Sequence, residues 1–179
     1  MAEAKSPGSY MVLLVCTGNT CRSPMAAGLM KKLLADKKGS TPPITVVSAG
    51  TMGLIGMPAT DLAIEVSASY GVDISEHLSQ AATPELLDQA DLVLALSADH
   101  HEYCRAMGVP AERLFMLRAF PQHPQGLAQY QIPDPIGGNR DQYQRTFYLI
   151  EEALRRGLPA LIARANPSET NDEPSGDAS

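Results

Sequence analysis

Cys16 and Arg22 stand with five residues between them, Ser23 follows directly, and this order of side chains suits nucleophilic attack on a phosphoryl group. The intervening Thr17, Gly18, Asn19, Thr20 and Cys21 are all small or polar. A tight loop of such residues feeding a helix N-terminus turns successive backbone N–H groups onto a phosphate-sized anion, and the helix dipole adds to the field. Arg22 supplies a planar fork for two oxygens. A thiol at the base of that positive cup is expected to ionise well below a free cysteine, giving a thiolate aimed at phosphorus. Taken singly, Cys16 also reads as a small core hydrophobe closing a buried strand. The combination with Arg22 and Ser23 at a strand-to-helix junction favours chemistry. The stretch lacks the GxxxxGK[ST] and GxGxxG patterns of nucleotide-binding loops.

Phosphoryl transfer to a thiolate needs an acid to protonate the leaving group. Asp134 is the candidate, set between Pro133 and Pro135, whose rings restrict its backbone. It lies in 118–138, a stretch with four prolines that reads as a long functional loop. The pattern alone equally allows an ordinary turn aspartate. As an acid Asp134 must be protonated in the first step and ionised in the second, which predicts a bell-shaped pH dependence.

The elements that would hold these groups alternate strand and helix. Strands are expected over 11–15, 44–48, 91–96 and 114–117, each short and apolar. Ser23 reads as an N-cap with Pro24 at the first helical position, and Met25, Ala26, Leu29, Met30, Leu33 and Leu34 as the buried stripe of a helix ending before Gly39. Thr60 opens a helix closed by Gly71, Thr83-Pro84-Glu85 opens a short one, and Ser97 or Asp99 opens one running to Met107. Asn139 with Gln142 forms a capping box for a last helix that Gly157 and Pro159 should end. This is an α/β pattern: a four-stranded parallel sheet with helices on both faces, with a ligand expected off the carboxyl ends of its strands.

The 179 residues suit one domain, expected over 10–164, between a disordered N-terminus at 1–9 and a disordered acidic tail at 165–179. The net charge is −6, of which the tail's Glu169, Asp172, Glu173 and Asp177 account for four. That balance argues against nucleic acid or an anionic membrane as partner. Three cysteines without a paired framework fit a reducing cytoplasm, and the apolar run at 10–16 is too short to span a membrane. His100 and His101 are adjacent on an expected helix and point to different faces, so no metal and no cofactor are expected. Cys21 reads either as a packed thiol or as a partner that closes a protective disulfide with Cys16 under oxidation.

The run from Cys16 to Ala26 resembles the N-terminal signature of the low-molecular-weight protein-tyrosine-phosphatase family. Its form with threonine before the second cysteine is most similar to the bacterial protein-arginine phosphatases of that family. The resemblance spans about residues 10–160. It implies a phosphocysteine intermediate on Cys16, Asp134 as general acid and then as activator of water, and a phosphorylated protein as substrate. It further implies an unusual backbone at Asn19, a Ser23 hydroxyl on the Cys16 thiolate, and Ser48 and His77 bracing the loop. Members that take phosphotyrosine usually carry aliphatic bulk before the second cysteine and aromatic residues after Asp-Pro. This chain has Thr20 in the first place and Ile136-Gly137-Gly138 in the second, and it has no tryptophan. Thr20 and Ile136 thus point to phosphoarginine, with phosphotyrosine as the alternative. An arsenate reductase of the same fold would relay a disulfide through two further cysteines, where this chain has Ser97 and Cys104. A noncatalytic phosphate-binding module would leave the nucleophile unused. The resemblance sets no oligomeric state, and a monomer is expected.

Overall fold

In the computed structural model, residues 8–37 and 41–166 are described. Strand β1 (Tyr10–Cys16) leads into helix α1 (Arg22–Ala35), and β2 (Ile44–Gly50) follows. Helices α2 (Asp61–Ser69) and α3 (Pro84–Gln89) precede β3 (Leu92–Ala95), then α4 (Ala98–Ala106), β4 (Leu114–Met116) and the long α5 (Arg140–Ala165). The described residues form one four-stranded sheet in the order β2-β1-β3-β4, with every pairing parallel. Successive β1 residues point to opposite faces. Val12, Leu14 and Cys16 pack with α1, α2 and α5, while Met11, Leu13 and Val15 pack with α3 and α4. Covered on both faces, β1 has no polar alternation, which is why it reads as an unbroken apolar run.

That strand order places β1 between neighbours reached on opposite sides, β2 through α1 and β3 after the chain has crossed over. The crevice at the carboxyl end of β1 is therefore where loops diverge and a ligand fits. The loop of residues 17–21 lies there, and so does the Asp134 loop. Ile132, which is buried, donates its N–H to the Leu96 carbonyl at 2.9 Å just past β3.

Several local expectations hold. Gly71 takes φ 72° at the end of α2, Thr83 caps α3 with Pro84 in its first turn, Ser97 caps α4, and Asn139 and Gln142 form the capping box of α5. Others need correction. α1 starts at Arg22 with Cys21 as N-cap, and no side chain caps it. The Ser23 hydroxyl is turned instead to Cys16 and Asn19. Pro24 is thus the third helical residue, still among the four whose N–H has no intrahelical partner. The far end of α1 is as expected: it stops at Ala35, before Gly39, with Asp36 as its cap, and Gly39 itself lies outside the described residues.

α5 runs through Gly157 and Pro159 to Ala165. Pro159 removes one hydrogen bond, at a cost of about 3 kcal/mol. Leu161 beyond it is buried, with Leu158 and Ala160 packed on the same core, and burial of apolar side chains at about 1.5–3 kcal/mol each offsets that loss. Gly157 is there for packing: a Cβ would lie 2.9 Å from the Phe120 ring. The boundaries expected for the terminal segments fall mostly outside the described residues, but Ser9 is buried with its hydroxyl 2.8 Å from that of Thr45, and Ala165 is helical.

Candidate active site

The loop from Cys16 to Arg22 is held by its own polar atoms and by three residues distant in sequence. Asn19 sits at its centre, fully buried, with φ 55°. Asparagine tolerates that left-handed backbone better than most residues. Its Nδ2 donates to Ser23 Oγ and to Ser48 Oγ, both at 2.8 Å, and its Oδ1 accepts the Gln80 N–H at 2.9 Å. The Asn19 carbonyl meets His77 Nε2 at 2.7 Å. Gln80 also donates through Nε2 to the Ser48 carbonyl at 3.0 Å. Ser48 and His77, expected beside the loop, thus both contact Asn19, and Gln80 does so too. Gly50 lets the loop come this close, since a Cβ there would stand 2.7 Å from the Thr17 carbonyl oxygen.

Cys16 Sγ lies on the floor of this loop, buried, 2.9 Å from Ser23 Oγ, with the Asn19 N–H directed at it from 3.3 Å. Burial pushes the thiol above its ordinary value. Hydrogen bonds from Ser23, the Arg22 charge and the Asn19 amide oppose it but do not win, so in this arrangement the thiol is not lowered as the sequence led one to expect. The guanidinium beside it is engaged elsewhere: Arg22 is buried, and its terminal nitrogens contact Asp134 Oδ2 at 2.5 Å, Thr17 Oγ1 at 3.0 Å and the Ile132 carbonyl at 3.3 Å.

Asp134 thus comes to the cup from 112 residues along the chain. Ile132 anchors it on one side. Thr146 Oγ1 of α5 reaches the Pro133 carbonyl at 3.4 Å, and the Ile136 N–H donates to Asp134 Oδ1 at 3.2 Å. Two aliphatic side chains near the mouth are exposed. Ile136 is 60% exposed, and Leu54, also exposed, has a methyl 3.5 Å from where a Gly18 Cβ would be. Thr20 is half-buried in the loop, its carbonyl accepting the Thr60 N–H at 2.9 Å.

Cys21 is a free, buried thiol, 3.4 Å from Tyr143 OH and 3.5 Å from Thr60 Oγ1, which themselves lie 3.1 Å apart. Burial, with Cys21 beside it, pushes the Tyr143 hydroxyl up to about 12. The periodicity of α5 marks Tyr143 only as core, and nothing in its neighbours signals the polar tip.

His100 is a further residue that sequence reasoning missed. It is buried in the first turn of α4, with Nδ1 2.8 Å from Ser97 Oγ and Nε2 2.8 Å from Thr17 Oγ1. Cys104, four residues on, is buried against the opposite face of the sheet from α1, and burial pushes its thiol up to about 12.

Comparison with known proteins agrees with this geometry. The profile of the low molecular weight phosphotyrosine protein phosphatases matches residues 11–166. The low molecular weight protein-tyrosine-phosphatase Etp of Escherichia coli is 34% identical over 150 residues, covering 84% of this chain and 93% of its own. A protein-arginine-phosphatase of Bacillus subtilis is 35% identical over 146 residues, covering 81% and 92%. The solved structure of a YwlE mutant from Bacillus subtilis superposes with a TM-score of 0.74 at 32% identity, covering 86% of this chain and 99% of that one.

Proposed function

The chain belongs to the low molecular weight phosphotyrosine protein phosphatase family, a hydrolase acting on phosphoprotein, and we propose that it works through a phosphocysteine on Cys16 and prefers protein phosphoarginine. The observation that carries the mechanism is the meeting of Cys16, Arg22 and Asp134 at one mouth, with the Asp134 carboxylate placed 2.5 Å from the loop's arginine.

An entering phosphoryl group competes with Asp134 for the Arg22 guanidinium. Its oxygens take Arg22 and the loop N–H groups, and Asp134 Oδ2 is released to carry a proton. Cys16 Sγ then forms the S–P bond as the P–N or P–O bond of the substrate breaks, and Asp134 gives its proton to the leaving nitrogen or oxygen. In the second step Asp134 takes a proton from water, the water oxygen attacks phosphorus, the S–P bond breaks and inorganic phosphate leaves. Ser23 Oγ, 2.9 Å from the sulfur, stabilises the thiolate at both ends of the cycle. The burial that raises the Cys16 thiol is opposed when Arg22 is drawn to the phosphoryl oxygens beside it.

Phosphoarginine is favoured by what surrounds the mouth. Thr20 puts a hydroxyl in the loop where an aliphatic side chain would give bulk alone, and Leu54 and Ile136 offer an aryl ring no aromatic partner. Stacking of an aryl phosphate forgoes about 0.5–1.5 kcal/mol for each absent ring. The Bacillus subtilis relative named for arginine supports the same reading. Arsenate reduction through a cysteine relay is disfavoured: Ser97 is committed to His100, and Cys104 is buried beneath the sheet.

Matched peptides carrying phosphoarginine or phosphotyrosine test both parts. Wild-type protein should turn over phosphoarginine faster, Thr20→Ile should reverse or erase that preference, and Cys16→Ser should lose both activities by about 10⁴-fold or more. An unchanged preference in Thr20→Ile removes Thr20 from the explanation; a Cys16→Ser protein as active as wild type removes the mechanism.

A further inference from the structure

His100 takes no part in the steps above, yet both of its ring nitrogens are bonded and one of them faces the phosphate loop. We infer that His100, held by Ser97, is a positioning residue for Arg22, acting through the hydroxyl of Thr17. This rests on the phosphatase reading and adds to it a group outside the loop that sets the angle of the phosphate-binding arginine.

The chain of contacts is continuous. Ser97 Oγ accepts the His100 backbone N–H as the cap of α4 and meets Nδ1 at 2.8 Å. Nε2 meets Thr17 Oγ1 at 2.8 Å, and the same oxygen accepts from the Arg22 guanidinium at 3.0 Å. Ser97 and His100 are buried, at 7% and 3% exposure, so water does not substitute for either partner. A histidine that served only to fill the core would satisfy its nitrogens within α4 and its own layer. This one spends a nitrogen on a loop 83 residues earlier. A neutral imidazole has one donor and one acceptor, and both tautomers fit: Ser97 gives its proton to Nδ1 and Nε2–H donates to Thr17, or the reverse. In either case a lone pair of Thr17 Oγ1 remains directed at Arg22. Burial and the nearby Arg22 charge hold the imidazole down to about 4, which keeps a second cation away from the guanidinium.

The contact matters most after substrate enters. In the free site Arg22 has three anchors: Asp134, Thr17 and the Ile132 carbonyl. Once a phosphoryl group draws the guanidinium from Asp134, only Thr17 and Ile132 fix its plane from the protein side. Losing one of two anchors tilts the fork against the equatorial oxygens of the transition state, and misplacement on that scale costs about 10- to 100-fold in rate. The loss falls on kcat because it is the transition state whose oxygens need the fork aligned.

Steady-state kinetics with para-nitrophenyl phosphate on the full chain test this through a double-mutant cycle. His100→Ala and Thr17→Val should each lower kcat by about 10- to 100-fold with KM within about 3-fold of wild type, and the double variant should fall no further than the worse single. His100→Gln, whose amide reaches the Thr17 hydroxyl, should recover most of the loss. Wild-type kcat in His100→Ala, or losses that multiply in the double variant, would overturn the inference. If His100→Ala fails to show cooperative unfolding, Thr17→Val and His100→Gln carry the test: wild-type kcat in Thr17→Val, or a His100→Gln protein that folds but is as impaired as Thr17→Val, overturns it equally. A wild-type protein that hydrolyses no phosphate ester would strike at the phosphatase reading instead.

Discussion

The Cys16 loop and the Asp134 loop touch at one ion pair and are built in opposite ways. In the first, a single side chain, Asn19, closes three hydrogen bonds while its own carbonyl meets a fourth partner, and every one of these groups is at least partly buried. In the second, Asp134 is 37% exposed at its side chain, and its two oxygens rest on one N–H two residues away and on an arginine that belongs to the other loop. The nucleophile is over-determined and the acid is lightly held. That suits their tasks. A thiolate and its amides must be in place before the substrate arrives, because reorganising them during reaction would spend the stabilisation they offer. The acid must let go of Arg22, take a proton, deliver it and take another, and low local stability is what such a segment needs.

Breaking the Asn19 hub is the severest challenge to that contrast. Asn19→Ala removes the Asn19 bonds to Ser23, Ser48 and the Gln80 N–H, leaves Ser23 with Cys16 alone, and puts an alanine at φ 55°. Together these should cost about 2–4 kcal/mol of stability, seen as a lower urea midpoint at unchanged slope. Activity should fall by about 10²- to 10³-fold on every substrate. If the variant kept its midpoint and its rate, the loop would not be braced in the way its hydrogen bonds indicate.

Asp134→Ala should show the other side of the comparison. Since the Asp134 side chain is part-exposed, stability should change by no more than about 1 kcal/mol. The rate on substrates with poor leaving groups should drop by about 10²- to 10³-fold, whereas activated aryl phosphates should lose less than about 10-fold in the first step. Equal losses across leaving groups would mean that Asp134 does something other than protonate them.

How far the two loops were legible in the sequence follows the same line. The Cys16 loop is local: its nucleophile, arginine and serine sit within eight residues, so spacing alone exposes them. β1 and α1 are likewise plain from their apolar patterns, and the paired caps at Thr83 and Asn139 act within three residues of themselves. What stayed hidden depends on contacts across the fold. Ser23 looks like a helix cap until Cys16 and Asn19 claim its hydroxyl. Pro159 looks like a helix stop until Leu161 packs behind it. Gly157 looks like a terminator and is a slot for Phe120. His100 has a surface-like neighbour, His101, and a partner in Thr17 that no periodicity connects to it. Asp134 lies between these cases, since Pro-Asp-Pro marks a rigid turn but only the docking of Ile132 at the end of β3 brings it to Arg22.

The smallest effect separates the two regions by pH. His100 braces the Cys16 side, and no comparable buried imidazole touches Asp134 among the described residues. Its folded value, about 4, lies below the ordinary 6.5, so the unfolded chain binds the extra proton first. Stability carried by neutral His100 is therefore complete above about pH 6.5 and is lost as pH falls through 4, where the folded form is protonated as well. The full difference is about 3 kcal/mol. Unfolding free energies from urea titrations between pH 7 and pH 4 should fall by that amount in the wild type, on top of whatever the carboxylates contribute, and the His100→Gln protein should lack this share. Asp134→Ala should keep it in full, because the acid loop is not the part that His100 supports. A slope that vanished in Asp134→Ala and persisted in His100→Gln would assign the pH-sensitive brace to the wrong side of the Arg22–Asp134 pair.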